Sequence, residues 1–502
     1  MRVDFIGICG KIERYGRKGT VPQFLMNTKA TKSKFHTIFA YLFGIEHMMK
    51  NSTPLGDMPS GAAAYRTFLK VAWPSALESL LVALVSFFDT MMVSGLGENA
   101  INAVGITNQP KFILLAIIFS LNVGVTAVVA RRKGQQDRDG ANHTTRVAIL
   151  LSAMLSLLTS TLGFLFARPI LTFAGADPVY LEDAIAYFRI LCVSIVFTAL
   201  NLTINAAQRG CGNTKISMRT NIAANIVNIT FNFLLINGIW IFPRLEVKGA
   251  AIATALGALT SCSISFATLL RKNGYLSLVR RGRWSPNAEV LSPIVKVSSS
   301  AFIEQVFMRI GFFAYAKIVA GLGPTPYATH LICMNILNLS FCFGDGLSIA
   351  ASALVGQNLG ARRPDLSTIY GKVGQRMAFI CSTFLFVLFI AGRYELIRLF
   401  SKEEATIALG ASIMVIMAFS THFQTSQVVL NGCLRGAGDS AFVAATSMIS
   451  IAVIRPILTY VLCYPAGLGL AGAWISLIVD QGFRFIAGFW RFSGGKWSKI
   501  KL

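Results

Sequence analysis

Apolar runs of membrane length recur along the whole chain and constrain its fold more than any other feature. Ile149–Phe166 and Ala250–Leu270 are two examples. A hydrocarbon core about 30 Å thick needs roughly 20 apolar residues per helix. Only 14% of the 502 residues are charged, whereas soluble domains average about 25%. These features exclude a soluble enzyme, a secreted disulfide scaffold and a disordered chain. The sequence therefore predicts an all-α, polytopic membrane protein.

Turn signals such as Gly95-Leu96-Gly97 and Tyr464-Pro465 separate the apolar runs into twelve spans. The spans are predicted at 67–93, 101–130, 145–167, 181–207, 217–240, 248–270, 292–320, 327–356, 373–392, 405–431, 441–464 and 468–490. They group into two lobes of six helices each.

The spans and loops give a predicted division of the chain into five segments. These are a basic N-terminal tail at 1–66, a six-helix lobe at 67–275, a linker at 276–291, a second six-helix lobe at 292–491 and a tail at 492–502. The first 47 residues could also belong to an over-extended translation start, with Met48 or Met49 as the alternative beginning.

The net charge of +24 lies mainly in loops on one side of the predicted spans. Arg131-Arg132-Lys133 follows span 2, and Arg362-Arg363 follows span 8. Because basic loops favour the cytoplasmic side, both termini are expected in the cytoplasm of a multi-pass plasma-membrane protein. We therefore expect the basic residues to interact with a lipid bilayer rather than with a nucleic acid. We expect a monomer.

The two halves of the chain match at one constant interval, which we call the repeat offset. The interval from Glu78 to Glu304 equals the interval from Gly134 to Gly360. Both halves begin on the same side of the membrane, so the repeat is parallel. Parallel repeats are related by an axis along the membrane normal, and the transport site lies at their interface.

Five carboxylates inside the predicted spans are candidates for an ion or substrate path: Glu78, Asp89, Glu304, Asp345 and Asp480. Because burial disfavours the charged form of a carboxyl group, such an acid can carry a proton across, or hold Na⁺ together with neighbouring oxygens. Asp89 and Glu304 are the preferred sites for H⁺ or Na⁺. The alternative is a structural pair with a buried cation, which leads for Asp480 because Arg484 follows at i+4.

Amide side chains form a second group of candidates. Asn228 and Asn232 stack at i and i+4 on span 5, while Asn205, Gln427 and Asn431 lie on spans 4 and 10. Each amide offers an acceptor and two donors, which suits a cation or substrate shell. Hydrogen bonding between helices is the commoner role for a single amide.

Several chemistries have no motif in this sequence. No Gly-x4-Gly-Lys-Ser/Thr occurs, so we do not expect ATP hydrolysis to drive transport. There is no His-Glu-x-x-His, no Gly-x-Ser-x-Gly and no Cys/His metal set, and the nine cysteines are scattered. We therefore expect neither catalysis nor a resident cofactor.

Four motifs in order resemble the multidrug and toxic-compound extrusion (MATE) transporters over residues of about 67–490. They are Phe88-Asp89-Thr90-Met91 before Gly95-Leu96-Gly97, Asn228–Ile236 followed by Gly249–Thr254, Gly346–Gly360, and Arg435-Gly436-x-Gly438-Asp439. The resemblance implies a two-lobe export pump that exchanges H⁺ or Na⁺ for organic cations or other amphipathic compounds.

The resemblance also implies roles for single residues. Asp89 falls at the coupling acid of span 1, and Pro74 falls where that helix bends. Glu304 matches a cation-binding acid of span 7 in one branch, and Asp439 matches a third such position. Thr254 joins the candidate shell.

One position departs from the family pattern. The family commonly has Asn followed four residues later by Asp, and this chain has Asn228 followed by Asn232. One titratable group is thereby removed from the N-terminal lobe. Proton coupling there would depend on Asp89 almost alone, and coupling through Glu304 becomes more plausible.

The sequence thus predicts a secondary antiporter that works by alternating access of two lobes. A flippase for lipid-linked precursors is the nearest alternative, supported by the in-span cations Arg309, Lys317 and Arg455. A channel or receptor is a third possibility, disfavoured by the duplicated halves.

Overall fold

The computed structural model describes residues 54–94, 96–239, 242–272, 274–279 and 282–500. Residues 1–53 of the predicted tail and Gly95 of the first motif lie outside these ranges, as do the side chains of Phe88, Thr90 and Met91.

Each of the twelve predicted spans corresponds to a helix. The helices are α1 (Gly61–Ser94), α2 (Glu98–Gly134), α3 (Arg138–Leu165), α4 (Pro178–Gly210), α5 (Thr214–Asn237), α6 (Glu246–Leu269), α7 (Ala288–Ala320), α8 (Pro324–Gly360), α9 (Pro364–Ala391), α10 (Glu404–Ala437), α11 (Ser440–Cys463) and α12 (Gly469–Ser493). Short helical segments also occur at Ala167–Phe173, Arg393–Arg398 and Lys496–Lys499, and α11 contains a π-helical segment at Met448–Ile454.

Within the described residues, ten of these helices are long and apolar enough to cross a membrane by composition alone. The other two, α5 and α7, are long enough but carry more polar groups, including Asn228 and Asn232 on α5 and Glu304 and Arg309 on α7. These two helices are less apolar than the other ten because they bring polar side chains into the bundle.

The repeat is visible in the backbone as well as in the sequence. Gly97 before α2 has a φ of 103°, and Gly323 before α8 has a φ of 108°. The turn after α2 contains Gln136 at φ 59°, and the turn after α8 contains Arg362 at φ 57°. Each pair is separated by the repeat offset, so both halves use the same turns to reverse the chain.

The end of the bundle where α1 begins carries the Arg131–Lys133 and Arg362-Arg363 clusters, and we call it the basic end. Here Gly134 of α2 crosses Gly360 of α8. A Cβ on either glycine would clash with the backbone of the other helix. The two halves are therefore in direct contact at the basic end through equivalent positions.

The first helix of each half starts in the core of the other half. Phe68 and Ala72 of α1 are buried among residues of α8, α9 and α10. Val290 and Ile294 of α7 are buried among residues of α2, α3 and α4. Further along α1, Val93 packs with residues of α4 and α5 in its own half. The helix α1 is thus anchored in both lobes.

Candidate functional site

Asp89 lies near the end of α1 and faces two amides of α5. Asn232 donates from Nδ2 to Asp89 Oδ1 at 2.6 Å. When the Asn228 amide is oriented to satisfy both of its neighbours, it donates to Asp89 Oδ1 at 2.8 Å and accepts from the Thr254 backbone N–H at 3.3 Å. Asn228 and Asn232 are both buried. Four predicted site residues from α1, α5 and α6 therefore meet in one cluster.

Lys111 of α2 is a charged neighbour of this cluster, and it interacts electrostatically with Asp89. Lys111 is not among the site residues predicted from the sequence. A lysine that follows Pro110 inside an otherwise apolar span is as costly to bury as the in-span carboxylates, so the sequence does carry a signal for it. Tyr187 of α4, which is buried, also lies near Asp89.

A Glu–Arg pair recurs at the same position in both lobes. Glu78 accepts from Arg209 at 3.5 Å and from Asn221 at 2.6 Å. Glu304, at the equivalent position of the second lobe, accepts from the counterparts of both donors. Its partners are Arg435, at 2.7 and 2.8 Å to the two carboxylate oxygens, and Ser447 at 2.9 Å. The duplication has preserved an ion pair as well as a fold.

Glu304 therefore differs from the expectation of an acid that is free to bind an incoming cation. Its side chain is 4% exposed, and Arg435 binds both of its oxygens. An arginine does not lose its proton in a protein, so an incoming ion would have to displace a fixed cation. The geometry favours the alternative raised for every in-span acid, a structural pair.

The other predicted amides form internal pairs rather than a shell around Asp89. Asn205 donates to Asn201 at 3.0 Å on α4, and Asn431 donates to Gln427 at 3.0 Å on α10. These two pairs are again related by the repeat offset. Ser265 of α6 also donates to Asn201 at 2.6 Å. The pair on α4 is thus joined to a second helix through Ser265, as amides commonly are, whereas the Asn431–Gln427 contact lies within α10.

Asp439 lies at the start of α11, at the basic end. It accepts from Arg491 Nε at 2.7 Å, close to the end of α12. This contact ties two helix ends together and holds the buried carboxylate in an ion pair at the basic end. The expected role in cation coupling therefore has no support in its surroundings.

Asp480 confirms the structural alternative predicted for it. It accepts from Arg484 at 2.8 Å, as the i+4 spacing predicted, and from Arg455 Nε at 3.1 Å. All three residues are buried. Arg455, one of the cations that gave some support to a flippase, is thus already neutralised.

Asp345 lies between the lobes. It is exposed although it sits in the middle of α8, and it interacts electrostatically with Arg435 of its own lobe and Arg209 of the other. A further cross-lobe contact joins Arg309 of α7 to the ring of Phe112 of α2, 5.3 Å from its centroid. The space between the lobes is thus lined by charged groups.

Pro74 is buried, and α1 continues without a break on both sides of it. A proline inside a helix removes one backbone hydrogen bond and permits bending. It follows directly after the part of α1 that packs in the opposite lobe. Its predicted role as a hinge remains a prediction.

Comparison with known proteins agrees with this architecture. Residues 74–234 and 300–461 each match the model of the MatE family. The starts of the two matched segments are separated by the repeat offset. The chain therefore belongs to the MATE family of multi-pass membrane transporters, which is a family of transporters and not of enzymes.

Two relatives cover almost the whole chain. The "uncharacterized transporter YisQ" of Bacillus subtilis is 26% identical and is matched over 86% of this chain and 96% of the relative. The "probable multidrug resistance protein NorM" of Thermotoga maritima is 25% identical over 90% of this chain and 96% of the relative.

Solved structures share the fold at lower identity. An outward-facing conformation of a multidrug resistance MATE family transporter has a TM-score of 0.79 at 21% identity, covering 86% of this chain and 97% of that one. A transporter of the MOP superfamily from Pyrococcus furiosus has a TM-score of 0.80 at 22% identity, with the same coverage. The two-lobe architecture of twelve helices is thereby confirmed.

Proposed function

We propose that this transporter is a secondary active exporter that expels small organic cations in exchange for protons, with Asp89 as the coupling acid. The observation that carries the proposal is the set of partners around the four in-span acids that are not exposed; the fifth, Asp345, is exposed between the lobes. Glu78, Glu304 and Asp480 each contact an arginine. Asp89 instead accepts from amides. An acid held by neutral donors can gain and lose a proton without breaking an ion pair with arginine.

The donors around Asp89 favour a proton over Na⁺. Na⁺ needs a shell of oxygen ligands, whereas the groups that reach Asp89 Oδ1 are N–H donors from Asn228 and Asn232. Lys111 adds a cation nearby. Protonation of Asp89 removes its charge and with it the attraction for a cationic substrate, which then leaves.

Transport would follow from rocking of the two lobes, with the basic end in the cytoplasm and both termini there, in the plasma membrane of the cell. We propose that this conformation faces outward. The Gly134–Gly360 crossing closes the basic end, and Asp345 remains exposed at mid-depth. Exchange of one proton for one monovalent organic cation moves no net charge, so the pH gradient drives it. Each unit of pH difference is worth about 1.4 kcal/mol and sustains a substrate gradient of about tenfold. A monomer suffices for this cycle.

The names of several relatives support export as the activity. Two of them, from Thermotoga maritima and Pseudomonas aeruginosa, are named as multidrug resistance proteins. Another relative, from Shewanella oneidensis and 26% identical over 71% of this chain, is named "FAD transporter", which states no direction of transport. A cationic substrate is the proposal that Asp89 supports, because a half-buried carboxylate attracts a cation.

The test is transport in proteoliposomes with pH and sodium gradients imposed independently. Ethidium export should follow the pH gradient, and Asp89→Asn should abolish the pH dependence. Asp183→Asn, an exposed acid at the start of α4, is the matched control and should pump normally. Export driven by the sodium gradient alone would refute proton coupling, and normal pumping by Asp89→Asn would refute the role of Asp89. Counterflow distinguishes a carrier from a channel.

A further inference from the structure

A cavity of about 460 Å³ opens in the N-terminal lobe at the basic end. It lies where α4 ends, α5 begins and the chain leaves α6. Its volume falls within the range of about 300–1,000 Å³ typical of small-molecule sites. The lining includes Gln208, Asn213, Thr268, Arg271 and Tyr275. None of these residues takes part in the Asp89 cluster.

Hydrogen-bond donors without partners line this cavity. Gln208 is 4% exposed, and no described residue hydrogen-bonds to its side chain. The hydroxyl of Tyr275 is buried and likewise has no partner among the residues that the structure describes. Burial raises the pKa of this hydroxyl, so it stays protonated and can donate. Buried polar groups are normally satisfied, so these two indicate a missing acceptor.

One positively charged side chain lines the same cavity and a second lies against one of its lining residues. Arg271 lines it and is exposed. The Lys133 ammonium lies 3.5 Å from the centroid of the Tyr275 ring. Asn213 precedes the first turn of α5 but makes no side-chain capping bond, so the backbone N–H groups of that turn are free to bind an anion. The nearby Asp137 is already paired with Arg132 at 3.3 Å.

The repeat supplies an internal comparison. In the C-terminal lobe, Leu434 and Asp439 occupy the positions equivalent to Gln208 and Asn213. There Asp439 is paired with Arg491, and Trp497, 1% exposed, packs in the same core as Leu434. The C-terminal lobe thus fills this region with apolar and paired groups. Of the two equivalent regions in the described parts of the chain, it is the N-terminal one in which residues with unpartnered donors line an open volume.

We propose that this cavity binds the phosphate group of an anionic ligand, supplied either by a phospholipid headgroup or by a free organic phosphate. Arg271 and Lys133 would neutralise the phosphate. Gln208, the Tyr275 hydroxyl and the first turn of α5 would donate hydrogen bonds to its oxygens. Ile216, which also lines the cavity, would contact the glycerol or acyl part.

Binding to the purified full-length protein in detergent micelles tests the proposal. Phosphatidylglycerol, phosphatidylcholine and glycerol 3-phosphate are titrated separately, with bound ligand counted by native mass spectrometry and affinity taken from the shift in unfolding temperature. Phosphatidylglycerol should bind and phosphatidylcholine should not. Arg271→Gln should weaken phosphatidylglycerol binding about tenfold, as expected for one charge-assisted hydrogen bond.

Two further variants protect this test from a folding artefact. Tyr275→Phe keeps the ring under Lys133 and removes only the hydroxyl, so it should weaken binding while the ligand-free protein unfolds at its normal temperature. Arg66→Gln changes an exposed arginine at the start of α1 and should bind phosphatidylglycerol like the wild type. Equal weakening of glycerol 3-phosphate binding by Arg271→Gln assigns the site to free phosphates as well. Unchanged binding of both phosphates in Arg271→Gln and Tyr275→Phe overturns the proposal, whatever the transport assays show.

Discussion

Replacing Glu304 by Gln tests whether the duplicated Glu–Arg pair is structural. The change keeps the size of the side chain and an oxygen that can accept from Ser447, but it leaves the Arg435 charge without its anion. Removing one partner of a buried pair costs about 3–5 kcal/mol. The Arg435 side chain is 29% exposed, so water compensates part of this cost. We therefore expect the free energy of unfolding to fall by about 2–3 kcal/mol.

Glu78→Gln is the matched comparison, because it makes the same change at the equivalent position. Its pair is longer, 3.5 Å, and Asn221 can still donate to the new amide oxygen. We expect it to cost less than Glu304→Gln. The double variant Glu304→Gln/Arg435→Gln removes the stranded charge and should recover at least half of the lost stability, the signature of coupling between the two sites.

The assay is thermal unfolding of the purified protein, alongside ethidium export at several pH values. We expect a lower unfolding temperature for Glu304→Gln and an unchanged pH dependence of export. The reasoning is refuted if Glu304→Gln unfolds at the wild-type temperature and has lost its pH dependence. That result would make Glu304 the coupling acid.

Two further predictions concern the substrate site and the lobe contact. Lys111 lies beside Asp89 and competes with a cationic substrate for its carboxylate, so Lys111→Gln should tighten ethidium binding about tenfold when the pH keeps Asp89 ionised. Fluorescence titration measures this, and binding as weak as in the wild type would contradict that competition. Gly360→Val introduces a side chain where α8 meets α2, so it should force the basic end open. A cysteine introduced by Gln357→Cys should then be labelled faster in the Gly360→Val protein than in the protein that keeps Gly360. Gly482→Val, at a glycine with open space around it, should leave labelling unchanged.

The span count could be predicted from the apolar runs, and Asp89, Asn228 and Asn232 could be selected as candidates because polar groups are rare in apolar spans. Thr254 joined them only through the family resemblance. The partners of Glu304 could not be deduced from spacing within one helix, because Arg435 lies 131 residues away and contact depends on how α7 and α10 are rotated. Even so, the Glu and the Arg of this pair both recur at the repeat offset, as Glu78 and Arg209 show. Because both members of the pair recur at the same offset, the sequence contains an indication that the two residues form a duplicated ion pair.

The ends of the helices could be predicted less accurately than their number, for a different physical reason. The span at 373–392 was predicted from apolar residues, whereas α9 begins at Pro364. Its first turns carry charged residues such as Asp365 and Lys372, which a hydropathy pattern excludes. A helix can extend beyond the hydrocarbon layer because its backbone hydrogen bonds are satisfied in either medium, so apolar length sets a minimum for helix length.

The double anchoring of α1 has a mechanical consequence. Phe68 and Ala72 are fixed in one lobe and Val93 in the other, so any tilt of the lobes must be absorbed by the stretch between them. That stretch lies around Pro74, because Glu78 already bonds to Arg209 and Asn221 of its own lobe. Asp89 lies about three turns further along the same helix, so a proton that arrives there acts on the continuous helix that must bend where it passes from one lobe to the other.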